Sequence, residues 1–101
     1  MPKLYEYFGI VVFFYASEHD PIHVHGEYQG RESKAEIIIV NGKIADIRFK
    51  EVEGKSALPS KQLKDFKTLI RHEAKNIIKN WVDFFVMGKK IKSRIITRRL
   101  K

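Results

Sequence analysis

The chain has 101 residues, 44% of them hydrophobic, no cysteine, and a formal net charge of +8. That length suits one domain with a modest core, and the lack of cysteine excludes disulfides and thiolate metal sites, in keeping with a reducing, cytoplasmic setting. The apolar run from Gly9 to Ala16 is only eight residues long, too short for a membrane span of ~20, and the first residues do not read as a secretion signal.

The charge is unevenly spread. Residues 89–101 hold seven basic side chains and no acidic one, which leaves 13 basic and 12 acidic residues in 1–88. The expected organisation is therefore a single near-neutral domain over 1–88 and a basic C-terminal tail over 89–101. Deleting such a tail is expected to leave the fold intact.

In chain order, Phe8-Gly9-Ile10-Val11-Val12-Phe13-Phe14-Tyr15 is β-branched and aromatic on both faces and reads as a central strand. Ser17 to Pro21 reads as a turn, because Pro21 has no amide hydrogen to donate and restricts Asp20. From Ile22 to Gln29 the residues alternate. Ile22, Val24 and Tyr28 share one face with Gly26, and His23, His25 and Glu27 share the other.

Gln29-Gly30 suggests a turn, and Lys34 to Val40 the next strand. Asn41-Gly42 signals a hairpin, with Ile44 to Phe49 the fourth strand. A two-residue loop pairing Val40 with Lys43 mixes apolar and polar faces. A bulged turn pairing Val40 with Ile44 sets Ile39 opposite Ala45, Ile37 opposite Ile47 and Ala35 opposite Phe49, with Glu36 opposite Arg48, and is the expected register.

Leu58-Pro59-Ser60 opens a helix with Ser60 as candidate cap. Leu63, Phe66, Ile70, Ala74, Ile77, Trp81 and Phe84 recur every three or four residues, and Gly88 is a natural stop. An unbroken helix to Met87 is long for this domain, so it overhangs the sheet, kinks near Arg71-His72, or packs on a second copy. Val82 and Phe85 widen its apolar stripe, which admits a homodimer or partner contact. The fold class is α+β: a four-stranded, mostly antiparallel sheet in meander order, then one long or kinked helix on one face.

Three histidines fall within seven residues, His19-Asp20-Pro21-Ile22-His23-Val24-His25. Imidazoles two apart on a strand point the same way, so His19, His23 and His25 are candidate ligands for a divalent metal, zinc or nickel. Glu18, Asp20 and Glu27 are nearby oxygen donors, and His72 a candidate fourth ligand. The same histidines suit acid–base chemistry. A metal-free nuclease needs a proton acceptor, a donor and a cation, for which His23, His25, Tyr28 and Arg31 are the candidates. A purely structural role is the third reading, since no metal spacing code such as His-Glu-x-x-His is present.

Phe8-Gly9-Ile10, Tyr15, the stretch Glu18-His19-Asp20-Pro21-Ile22-His23-Val24-His25, Leu58-Pro59, Trp81 and Gly88 carry a resemblance over most of the chain. The sequence resembles the bacterial family called domain of unknown function 4160. That resemblance assigns no catalytic residues. It implies a small protein of toxin–antitoxin-like character, hence a cognate partner protein and an RNA or translation-machinery target. Relatives tend to end in a shorter, less basic segment after the glycine.

The tail's cations, Lys89, Lys90, Lys92, Arg94, Arg98, Arg99 and Lys101, suit contact with RNA phosphates or a partner protein. Ile91, Ile95, Ile96 and Leu100 between them suit docking on the body or on that partner. The third reading is a terminus whose charge serves solubility. A membrane surface is not expected, because the segment has no aromatic anchor.

Overall fold

The computed structural model describes residues 2–15 and 22–101. In chain order the elements are β1 (Lys3–Tyr7), β2 (Ile10–Phe13), β3 (Ile22–Tyr28), β4 (Arg31–Val40), β5 (Lys43–Glu51), helix α1 (Ser60–Trp81), a π-helical turn (Val82–Val86) and β6 (Arg94–Ile96). The strands form one sheet in the order β5-β4-β3-β2-β1-β6. The fold is α+β as expected, but the sheet has six strands, not four. It is mixed, because β6 runs parallel to β1 at the edge. The expected turn at Ser17–Pro21 lies outside the described residues.

Three two-residue turns set the meander. Phe8-Gly9, Gln29-Gly30 and Asn41-Gly42 each place both residues at positive φ, between 47° and 86°. That is the type I′ geometry, whose twist matches that of the strands it joins. Tyr7 thus pairs with Ile10, Tyr28 with Arg31 and Val40 with Lys43. Phe8-Gly9 therefore does not open the first strand. It is the turn that creates β1 before it.

The Asn41-Gly42 hairpin corrects one expectation and meets another. Its turn is the tight one, with no bulge at Gly42. The irregularity comes two residues later: Ile39 pairs with Ile44, Ile38 with Asp46, and Ala45 is the extra residue. Beyond it, Ile37 faces Ile47, Glu36 faces Arg48 and Ala35 faces Phe49 as expected. The buried face dictates the register, and the bulge is placed where it can restore it.

Ser60 is the first helical residue, so the cap position falls on Pro59, and no side chain caps the helix. The helix is continuous through Arg71 and His72 over 22 residues, or ~33 Å. It buries Phe66, Leu69, Ile70, Ala74, Ile77 and Trp81. At Gly26 the strand meets it without a side chain: a Cβ there would stand 2.7 Å from two ring carbons of Phe66. Beyond Trp81 the wider π-helical turn brings Phe84 and Phe85 against Phe14, with ring centroids 6.4 and 5.7 Å apart. Gly88, at φ +66°, ends it.

Residues 89–101 are built into the domain. Tyr5, Glu6 and Tyr7 pair with Arg94, Ile95 and Ile96. Ile91, Ile96 and Leu100 pack on the core, and the Leu100 amide donates to the Tyr7 hydroxyl at 3.0 Å. Arg94 reaches Glu73 at 3.1 Å and Arg99 reaches Asp65 at 2.6 Å. The Arg99 guanidinium also lies 4.1 Å from the centre of the Phe8 ring. The apolar residues between the cations explain this docking: they complete the β1 edge of the core.

Candidate functional site

The strand register creates a polar cluster on the sheet face opposite α1. Val24 and Gly26 turn toward the helix, and His23, His25 and Glu27 lie on the alternate face of β3, with His23 near enough to the start of the strand for its ring to approach Trp81 at the end of α1. Phe13 pairs with His25, His25 with Lys34 and Glu27 with Glu32. Glu32 therefore sits diagonally across from His25. Its carboxylate Oε2 accepts a hydrogen bond from His25 Nδ1 at 3.0 Å and another from the Tyr15 hydroxyl at 3.0 Å. His25 is 3% exposed and Glu32 2%.

Aromatic rings wall this cluster. Phe13 stacks on the His25 imidazole at 5.6 Å, and Tyr15 meets it edge-on at 4.3 Å. The His23 ring lies 5.5 Å from that of His25 and 5.8 Å from Trp81. The Glu32 backbone amide donates to the Ser56 carbonyl at 2.9 Å, which ties β4 to the loop before α1.

The chemistry follows from the donors. A carboxylate only accepts, so the bond to Glu32 places a proton on His25 Nδ1. A carboxylate behind an imidazole is the arrangement that orients both metal-binding and proton-accepting histidines. Two donors converging on one buried oxygen also compensate the carboxylate for its lost hydration.

The expected site residues separate into groups. His23 and His25 come together. Tyr28 does not join them: it lies on the other face of β3, its ring packed over Gly9. Arg31 donates from Nε to the Ala57 carbonyl at 2.6 Å and so holds the loop before α1. His72 bonds the Lys101 carbonyl on the helix side of the molecule and does not meet the strand histidines. His19, with Glu18 and Asp20, lies outside the described residues. Among the described residues, no three of His, Asp and Glu are grouped to hold a metal ion. Glu32 and Tyr15 were not anticipated. Carrying the two-residue Gln29-Gly30 turn through the alternation of β3 sets Glu27 opposite Glu32, and so would have found the carboxylate.

The basic segment is on a different side. Its Arg99, Leu100 and Lys101 contacts are with Asp65, Tyr7 and His72, on the helix side of the sheet. Arg94 and Arg99 are held by carboxylates. Lys89, Lys90, Lys92, Arg98 and Lys101 are exposed, and among the described residues their side chains form no ion pair.

Fold and cluster together define, among the described residues, a small α+β protein with helix α1 on a six-stranded sheet and a buried His–Glu–Tyr group on the other face. The chain belongs to the family described as domain of unknown function (DUF4160), whose family model matches residues 9–82. No curated protein and no solved structure matches it. No helix among the described residues is long and apolar enough to cross a membrane. The match leaves out β1 and everything after Val82, and so the basic segment.

Proposed function

We propose that this protein is a toxin-like interaction module that binds RNA through its C-terminal segment. One observation carries the reading: five exposed cations that, among the described residues, form no ion pair stand on a segment that β6, Arg94 and Arg99 hold in place. Cations fixed on a folded edge meet a phosphate chain with less loss of freedom than cations on a loose tail. Five phosphate contacts on a single strand give a salt slope of about −3.5, so affinity falls ~100-fold between 50 and 200 mM salt.

The test is fluorescence anisotropy of a labelled single-stranded RNA over that salt range. Charge reversal at Lys89, Lys90 and Lys92 is expected to lower the slope by about 2 while the thermal midpoint stays put. An unchanged slope removes the segment from the interface.

A second reading is favoured by the Glu32–His25 bond. With its tautomer set, His25 serves with His23 as an acid–base pair or as metal ligands that His19 would complete. Expression of the chain is then expected to inhibit growth, and His23→Ala to relieve it. For the metal form, protein purified without a histidine tag is expected to hold zinc or nickel near one equivalent. Less than about a tenth of an equivalent, with no thermal shift on adding either ion, counts against it.

A further inference from the structure

Helix α1 does not cover the whole of its sheet face. Ala35 and Ile37 are fully buried, but Ile39 and Ile44, paired further along the β4–β5 hairpin, remain 38% and 37% exposed. Across from them, Lys75 and Ile78 project from the flank of α1. With Gly42, Lys43 and Ile44 they line an open groove of about 560 Å³. Ile78, Val82 and Val86 recur every four residues, so the apolar flank continues beyond it, with Val82 40% and Val86 71% exposed.

We infer that this groove receives an acidic amphipathic helix of a partner protein. Its walls are aliphatic and carry no aromatic ring, which suits leucine-like side chains and not nucleic-acid bases, which bind by stacking. Two lysines and no carboxylate line it, so the complementary ligand carries acidic flanks. A second copy of this chain would bring its own lysines and a like charge of +8. Strand addition on the free edge of β5 is opposed by the Ala45 bulge and by Lys43, Arg48 and Lys50 along that strand.

A helix fits the remaining geometry. The groove wall at Lys75 and Ile78 and the exposed flank that continues from it to Val86 together extend ~17 Å, about three turns. A partner helix laid beside α1 would cover Ile39 and Ile44 as α1 covers Ile37, with its own apolar stripe inward.

The probe is a pair of designed, stapled helical peptides about four turns long, with one leucine stripe and either glutamate or lysine flanks. Binding to the full chain is followed by methyl NMR. The glutamate peptide is expected to bind in the micromolar range and to shift the methyls of Ile39, Ile44, Ile78 and Val82. The lysine peptide is expected to bind at least about tenfold more weakly. Ile44→Asp should weaken the glutamate peptide about tenfold, and Lys75→Glu should reverse the preference between the two. RNA binding should be the same in both variants, so loss of that activity and loss of this groove are told apart. Equal affinity for both peptides, shifts away from the groove, no binding near millimolar peptide, or a dimer that shields Ile44 in sedimentation each overturns the inference.

Discussion

Glu32→Gln tests whether the buried cluster is held by a carboxylate or only by shape. The substitution keeps the side chain's size and one acceptor oxygen but removes the charge. In the native chain Oε2 accepts two bonds at 3.0 Å, from His25 and Tyr15. Bonds to a charged group contribute ~1.5–3 kcal/mol and neutral ones ~0.5–1.5, so about 1 kcal/mol is lost per bond and about 2 in all. In a domain of this size each kcal/mol moves the thermal midpoint by ~4–8 °C, so a drop of about 8–16 °C is expected. Glu32→Leu removes the acceptor of both bonds altogether and should cost more, about 2–6 kcal/mol. The assay is thermal and urea denaturation by circular dichroism, with a Tyr15→Phe, Glu32→Gln cycle expected to show coupling of about 1 kcal/mol. A Glu32→Gln protein as stable as the wild type would refute the reasoning: desolvation of the carboxylate would then outweigh its bonds.

Gly26→Ala forces a Cβ to within 2.7 Å of the Phe66 ring, which is buried and flanked by Phe49; a loss of about 1–3 kcal/mol is expected, with partial recovery in Gly26→Ala/Phe66→Leu, both read from urea midpoints. The Tyr5 hydroxyl is buried and, among the described residues, has no hydrogen-bond partner of good geometry. Burial first, then the Glu73 carboxylate, pushes its pKa well above the usual phenol range, against a smaller opposite pull from Arg94. The unfolded chain ionises this group near ~10 and the native chain only higher, so the stability it contributes is present below pH ~10 and lost as pH rises above it. Tyr5→Phe should flatten that loss in urea titrations at pH ~9 and ~11, and should cost little at neutral pH; a steeper loss in the variant contradicts the assignment. Removing residues 89–101 takes away β6 and the apolar contacts of Ile91, Ile96 and Leu100, so a destabilisation of about 2–5 kcal/mol is expected, and a truncated chain with an unchanged melting curve would show the segment to be dispensable to the fold.

The parts legible in the sequence were those where one local rule acted alone. The alternation over β3 placed the histidines on one face correctly, and the helix stripe predicted Phe66, Ile70, Ala74, Ile77 and Trp81 as buried. The inner register of β4 and β5 followed from matching apolar faces. What escaped depended on competition between rules. Phe8 is a poor turn former by composition, yet it takes a left-handed conformation because Gly9 follows and because Leu4, Tyr5 and Tyr7 gain burial by folding back on β2. Docking of the basic segment on the body is one of the readings its aliphatic residues admit, but its pairing with β1 as a strand depends on residues about 90 positions away and leaves no local signal. Glu32 falls between the expected Gln29-Gly30 turn and the strand expected from Lys34. Its burial makes sense only with His25 and Tyr15 in place, and they approach it through tertiary structure.

The pairing of β6 with β1 has a consequence for how the protein is made. These strands lie near opposite ends of the chain, and Tyr7 receives the Leu100 amide across 93 positions of sequence. During synthesis the β1 edge and the part of the core that residues 91–100 cover stay open until those residues have emerged. A chain stalled before Arg94 would present an unpaired strand and exposed aliphatic surface, the form most prone to join a neighbour. Closure is thus a contact of long sequence separation, of the kind that slows folding.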